Sequence, residues 1–140
     1  MTQFDVQLNL DAQVDLFKTS FDIDIAYPNT DYSPTAGKEY IAVSYINGDV
    51  FQIAPIEGSE NRTTMILQFD IYINADIGKY RFKEIVDAMQ PYFRRGMVIH
   101  NNEIYTRVTN FAIIDLSQDA DRAIQIVRVS TRSDYSNTTT

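Results

Sequence analysis

One histidine and one glutamate in this sequence have the spacing of a possible acid–base pair. His100 and Glu103 flank Asn101-Asn102, a dipeptide that favours a tight turn, so their side chains would face each other across a hairpin. Acid–base catalysis also needs a nucleophile and a third group that orients the pair, and neither is identifiable nearby. A surface hydrogen bond is therefore the interpretation that we favour for this pair.

Aspartates form two further groups with possible chemistry. Asp22 and Asp24 alternate along a short predicted strand and, with Asp70, could bind magnesium as in a metal-dependent hydrolase. No lysine or glutamate at a suitable spacing completes such a site. The second group is Asp115, Asp119 and Asp121. It has the charge of a calcium loop but lacks the glycine and the bidentate glutamate of the twelve-residue pattern. Solvated surfaces explain both groups, so we predict no catalytic residue, no metal ion and no cofactor.

Composition narrows the class of protein. A chain of 140 residues with 44% hydrophobic residues, nine tyrosines and eight phenylalanines should fold as a single domain with a real core. No apolar run approaches the roughly 20 residues that cross a bilayer, and the acidic N-terminus is unlike a signal peptide, so we expect a soluble protein made in the cytoplasm. The absence of cysteine excludes disulfides and thiolate sites. A net charge of -7 argues against stable nucleic-acid binding, although not against lining a passage for DNA.

Residues 4 to 17 have two interpretations. Their apolar side chains alternate with polar ones, which is typical of a half-buried strand. On a helix the same residues would form two apolar stripes, and such a helix needs two partners. The first stripe is Val6, Leu10, Val14 and Phe17, and the second is Phe4, Leu8 and Leu16.

Most of the remaining apolar residues predict strands. The predicted strands are residues 21–25, 39–46, 50–56, 63–73, 97–100, 103–114 and 122–131. Polar loops are predicted at residues 28–38, 57–62 and 116–121. Asn47-Gly48 and Asn101-Asn102 favour two-residue hairpin turns, and the second turn would place His100 opposite Glu103 and Ile99 opposite Ile104.

One long amphipathic helix is predicted from Asp76 to Arg95. Its apolar stripe is Phe82, Ile85, Met89 and Phe93. Asp76 at the start and Arg94 and Arg95 at the end suit the helix dipole, and Gly96 is a natural cap. Pro91 conflicts with this helix, which would either kink near Asp87 or end at Gln90.

These elements follow one another in a distinctive order. The segments that carry it are Glu39-Tyr40-Ile41-Ala42-Val43, Phe69-Asp70-Ile71-Tyr72-Ile73, the helix with Ile85-Val86-Asp87-Ala88-Met89, Gly96, Glu103-Ile104-Tyr105-Thr106-Arg107-Val108 and Gln125-Ile126-Val127-Arg128-Val129. The order resembles that of the tail terminator proteins of long-tailed bacteriophages over nearly the whole chain, in element order and side-chain type rather than in any invariant motif. In that family the N-terminal segment is helical, so the resemblance favours the helix for residues 4 to 17.

The fold expected from these patterns is a single α+β domain over residues 1–132 with a polar tail over residues 133–140. It has a mixed or antiparallel β-sheet, one long amphipathic helix packed on a face and an N-terminal helix.

The resemblance implies a structural virion protein without enzymatic activity. It would form a ring, usually hexameric, that caps the finished tail tube and joins the tail to the head connector. Expected partners are other copies of the chain, the tail tube protein and a connector or adaptor protein, with transient passage of DNA and no membrane. Assembly would take place in the cytoplasm of the bacterial host. Two alternatives stay open: another neck protein for head completion, or a metal-dependent hydrolase.

Two sets of residues are candidates for assembly. The candidate interface residues are Phe4, Leu8, Leu16, Arg94, Arg95 and Tyr135. A lumen that bound phosphate tightly would stall the DNA, so acidic side chains are expected to face the channel. The candidates for this role are Asp22, Asp24, Asp115, Asp119 and Asp121.

Overall fold

The computed structural model describes residues 2–52, 60–119 and 121–136, and within them it contains two helices and six strands. The helices are α1, Gln3–Phe21, and α2, Lys79–Phe93. The strands are β1, Asp24–Ala26; β2, Tyr40–Gln52; β3, Glu60–Asn74; β4, Val98–Ile99; β5, Tyr105–Asp119; and β6, Arg122–Ser136. The predicted α+β class is therefore confirmed. Neither of these helices has the length and hydropathy required to cross a membrane.

All six strands belong to one mixed sheet in the order β1-β2-β3-β6-β5-β4. Only β1 and β2 pair in parallel, and the other neighbours are antiparallel. Side chains alternate between the two faces of each strand. On β3 the side chains of Met65, Leu67, Phe69, Ile71 and Ile73 are buried on the face that carries the helices, and those between them lie on the other face, here called the open sheet face.

The N-terminal segment is a helix, so the alternative of a long strand is wrong. Thr2 caps it through a capping box, in which its side chain accepts from the Phe4 N–H and the Asp5 carboxylate accepts from the Thr2 N–H. The core against the sheet contains its first apolar stripe: Val6, Leu10, Val14 and Phe17, all fully buried. Asp22, with φ of 58°, ends the helix in the left-handed conformation.

A buried amide joins α1 to the segment between β4 and β5. The Asn9 Nδ2 donates to the carbonyls of Ile99 at 3.0 Å and Ile104 at 3.2 Å, and to the Thr106 hydroxyl at 2.9 Å. Its Oδ1 accepts from the Asn101 N–H at 2.7 Å. Asn9 is inaccessible to solvent, so these bonds satisfy an amide that would otherwise cost free energy to bury.

Helix α2 confirms the predicted helix type and apolar stripe, with different ends. It begins three residues after Asp76 and ends before Arg94, so it has no acidic residue in its first turn and no basic residue in its last. The predicted interaction of those residues with the helix dipole is therefore wrong. Pro91 lies inside the helix, which continues to Phe93 rather than ending at Gln90. The sheet also carries α1, whose 19 residues exceed the 15 of α2, so the prediction of one long covering helix is only partly correct.

The hairpin turn predicted at Asn47-Gly48 is wrong, because β2 continues through it to Gln52. The pairing of β2 with β3 shifts between Asn47 and Val50, so Gly48 lies in a β-bulge. A Cβ atom on Gly48 would lie 2.0 Å from the Thr64 Oγ1 and 2.7 Å from the Thr64 carbonyl oxygen. Close approach of β3, rather than a turn, is the reason for glycine at this position.

The register predicted around Asn101-Asn102 is also wrong. Ile99 pairs with Thr106 and not with Ile104, so the connection is longer than two residues and His100 has no strand partner at Glu103. Contacts with α1 explain why this segment does not form the predicted two-residue turn. The backbone N–H of Asn101 and its side chain bond to Asn9 of α1 instead of forming a tight turn.

Three smaller boundaries also differ from the predictions. Helix α1 occupies Phe21, so the strand predicted at residues 21–25 is reduced to Asp24–Ala26. The acidic loop predicted at residues 116–121 is largely strand, since β5 reaches Asp119 and β6 begins at Arg122. Strand β6 reaches Ser136, past the predicted domain end at residue 132. Residues 53–59, which belong to the predicted strand 50–56 and loop 57–62, lie outside the described residues.

We expect Asn9→Ala to lower the free energy of unfolding by about 2–3 kcal/mol, because it removes the hydrogen bonds of a solvent-inaccessible amide to Ile99, Ile104, Thr106 and Asn101. Urea unfolding followed by circular dichroism measures this change. The control is Gln7→Ala, which removes one exposed side-chain bond to Asn47 and should change stability by less than about 0.5 kcal/mol. Equal small effects of the two variants would contradict a structural role for the buried amide.

Candidate functional site

His100 and Glu103 do not form an acid–base pair. The imidazole stacks on the Tyr105 ring with a centroid distance of 3.9 Å, and its Nδ1 lies 3.1 Å from the Ile104 carbonyl oxygen. Glu103 is exposed, and in the part of the chain that the structure describes no hydrogen bond joins it to the histidine. The surface hydrogen bond that we favoured for this pair is therefore wrong, although both residues are exposed on the surface.

The three aspartates proposed for a metal-dependent hydrolase have separate positions and partners and do not form one site. Asp22 is the exposed residue that ends α1, and not a member of a strand. Asp24 lies 3.1 Å from the Lys38 ammonium and accepts from the Tyr32 hydroxyl, and the lysine chiefly holds the pKa of this carboxyl below its ordinary value. The Asp70 carboxylate accepts from the Gln68 side chain at 2.9 Å. Residues 2–52, 60–119 and 121–136 contain no cluster of three or more His, Cys, Asp or Glu able to hold a metal ion.

The acidic residues proposed for a lumen lie partly at one end of the sheet. Asp121 is exposed between β5 and β6, and its carbonyl accepts from the Ala75 N–H at 2.9 Å. The next residue, Arg122, donates to the carbonyls of Thr35 and Lys38, which brings the Lys38–Asp24 pair to the same end. The side chains of two further candidates lie outside the described part: Asp115 and Asp119.

The second apolar stripe of α1 is exposed to solvent. Phe4 is 74% exposed, Leu8 59% and Leu16 51%. With Ala12 they form a row at i, i+4, i+8 and i+12 along the helix, here called the α1 ridge. A monomer thus exposes a contiguous apolar strip on this helix, as expected for a contact surface.

The other predicted interface residues differ in their exposure to solvent. Arg94 and Arg95 are exposed just beyond α2. Tyr135 is only 5% exposed, because it points to the core side of β6. The expectation that Tyr135 lies at an interface is therefore not supported, since its side chain already packs within the monomer.

A second apolar surface lies between α2 and the end of the β5–β6 hairpin, and the sequence prediction missed it. This α2–β5 groove has a volume of about 440 Å³ and is lined by Lys79, Phe82, Lys83, Val86, Asp87, Ile113, Ile114, Leu116 and Gln125. Ile113 and Leu116 are each at least half exposed. The apolar run Phe111–Ile114, followed by Leu116, is a signal that the sequence contains. However, a bulge between Ile113 and Leu116 changes which side chains face the helix, and only the structure reveals it.

The open sheet face is rich in arginine although the chain is acidic. Five of the eight arginines lie on it: Arg62, Arg107, Arg122, Arg128 and Arg132. Arg62 donates to both oxygens of Asp134, at 2.8 and 3.1 Å, and this pairing lowers the pKa of the Asp134 carboxyl. Arg107 and Arg132 lie directly opposite each other on adjacent strands. The surplus of negative charge therefore lies on other surfaces of the molecule.

Comparisons with known proteins agree with this architecture. The sequence matches the phage tail terminator protein family over residues 5–131. One solved structure aligns with 100% of this chain and 99% of its own, with a TM-score of 0.70 and 15% sequence identity, which shows a shared fold. No curated protein sequence matches the chain.

The family match extends over more than nine-tenths of the sequence, so the chain belongs to the phage tail terminator protein family. It is therefore a bacteriophage structural protein of the virion tail. The predicted family is confirmed.

We expect Asp134→Asn to lower the free energy of unfolding at pH 7 by about 0.5–1 kcal/mol, because about a third of each partner is exposed and water screens the ion pair. A carboxyl whose pKa is depressed by folding stabilises the fold above its unfolded value. That stabilisation is lost as the pH falls through the folded value. The difference between wild type and variant should therefore shrink below pH 3.8 and disappear once Asp134 is protonated. Urea unfolding across pH measures it, with Asp31→Asn as an exposed control. A difference independent of pH would contradict the ion-pair explanation.

Proposed function

We propose that this protein forms a closed ring, of six copies, that caps the finished tail tube and joins it to the head connector. The observation that carries the proposal is the exposed α1 ridge in a chain of the tail terminator family. A soluble subunit rarely exposes a contiguous apolar strip unless another surface covers it. Repeated use of the same contacts by identical copies gives a closed symmetric assembly when the rotation between neighbouring copies closes.

Charge distribution supports an orientation of the subunit in this ring. DNA leaving the head would pass through the lumen, where a basic surface would retain its phosphates. The arginine-rich open sheet face then lies away from the axis. The sheet end with Asp22 and Asp121 would face the channel. Asp24 lies at the same end but on the open sheet face, so it would lie at the rim of the channel, where Lys38 and Arg122 partly neutralise it. Arg94 and Arg95 would lie away from the axis or in contacts between subunits.

The first experiment measures assembly. Light scattering and electron microscopy of the purified protein, alone and with tail tube protein, should show rings of six copies located at tube ends. Binding to the head connector without any binding to tubes would favour a head completion or adaptor role instead. A protein that stays monomeric with both partners would contradict the proposal.

A second experiment tests the channel charge. Asp22→Lys combined with Asp121→Lys should leave the rings intact but give them salt-dependent binding to double-stranded DNA, because the added lysines would contact phosphates. Glu103→Lys, near the opposite end of β5, is the control and should have no such effect. Gel-shift titration at several salt concentrations compares them. Equal DNA binding by both variant rings would show that the acidic end does not face the channel.

A further inference from the structure

The α1 ridge and the α2–β5 groove have complementary shapes. The ridge is a convex row of apolar side chains from residue 4 to residue 16, and the twelve steps between them span about 18 Å along the helix axis. The groove is concave, with Phe82 and Val86 on its helix side and Ile113, Ile114 and Leu116 on its strand side. An amphipathic helix that places an i, i+4 row into an apolar groove is a common mode of protein recognition.

Their charges are complementary as well. Asp11 and Asp15 stand three residues after Leu8 and Ala12, which places them beside the ridge. The rim of the groove carries Lys79 and Lys83. Lys83 is paired with Asp87 at 2.6 Å, whereas Lys79 has no ion pair among the residues that the structure describes. Asp11 and Asp15 each accept one hydrogen bond from a tyrosine hydroxyl of the same molecule, and a carboxylate has further acceptor positions for an ammonium group at the rim.

The two surfaces belong to different elements of the same chain. The groove is built by α2, β5 and β6, and α1 contributes nothing to its lining. A ridge and a groove on separate parts of one molecule can pair reciprocally about a two-fold axis, which stops at a dimer, or by head-to-tail contact, which generates a ring when the rotation closes. A single repeated ridge–groove contact builds the proposed ring of six copies only in the head-to-tail arrangement.

We infer that the α1 ridge of one subunit inserts into the α2–β5 groove of the next copy, and that this heterologous contact builds the ring. The inference rests on the proposed ring and specifies its interface. Phe4, Leu8 and Leu16 are the apolar anchors, and the groove side contributes Ile113 and Leu116. Lys79 meets the carboxylates beside the ridge.

Two complementary variants test the direction of this contact. Leu8→Asp disables the ridge and leaves the groove intact, whereas Leu116→Asp disables the groove and leaves the ridge intact. Each should raise the concentration needed for ring formation about a hundredfold or more, because the new carboxylate would be buried in an apolar contact. Both residues are at least half exposed in the monomer, so folding should be retained, and circular dichroism verifies this.

The decisive measurement is a mixture of the two variants in light scattering. The intact ridge of the Leu116→Asp protein should bind the intact groove of the Leu8→Asp protein, giving a 1:1 heterodimer that cannot extend. The matched control is Ile46→Asp, an exposed apolar residue of β2 outside both surfaces, which should still form rings.

A charge change at the groove rim gives an independent readout. Lys79→Glu should weaken assembly by about twofold to fivefold, because it places a carboxylate opposite those beside the ridge, whereas the matched control Lys79→Arg should retain assembly. Two results would overturn this interface while leaving the proposed function standing, provided that the wild-type protein forms rings. The first is intact rings from Leu8→Asp or from Leu116→Asp, and the second is the absence of a heterodimer in their mixture. Absence of wild-type rings with tubes present would overturn both.

Discussion

The buried amide of Asn9 fixes the position of α1, and the outer surface of the molecule follows from that position. Four hydrogen bonds hold the amide against the segment between β4 and β5. On the other flank the Tyr45 hydroxyl donates to Asp11 and the Tyr27 hydroxyl to Asp15. Burial chiefly raises the pKa of both tyrosines, so they remain neutral donors. Directional bonds on both sides prevent rotation of the helix, and they keep one apolar stripe in the core and the other in solvent.

The sheet separates two kinds of surface. Its helix-bearing face contains the core, where Phe69 packs against Phe93 of α2 with ring centroids 5.2 Å apart. Its open face instead carries cross-strand polar pairs such as Arg128 with Gln68, at 2.9 Å. An antiparallel sheet tolerates one solvated face, so no second layer is needed there. The exposed α1 ridge and the α2–β5 groove consequently both lie on the helix side, which also carries the acidic side chains of α1.

Hydrophobic periodicity correctly predicted the helices and strands that need only a general apolar contact with the core. It failed where a specific tertiary contact decides the backbone conformation. The alternation on β3 and the stripe of α2 were sufficient to assign both elements. In α1 the alternation fitted either structure, although the Thr2 and Asp5 capping box was a readable sign of a helix. Gly48 resembled a turn residue because its steric conflict with Thr64 cannot be seen in the sequence. The exposed stripe was predictable for the same reason as the buried one, whereas the groove depends on a bulge.

The bulges have a consequence for solubility. The central pairing of β3 with β6 is regular over fifteen residues, whereas every register shift in the sheet involves β2 or β5. These two strands are covered by short partners, β1 over residues 40–42 and β4 over residues 106–107, so much of each forms an edge of the sheet. A long flat edge is a template for continuous strand pairing and fibrous aggregation. Irregular edges interrupt that template, so the bulges of β2 and β5 oppose the merging of sheets from neighbouring copies at high concentration.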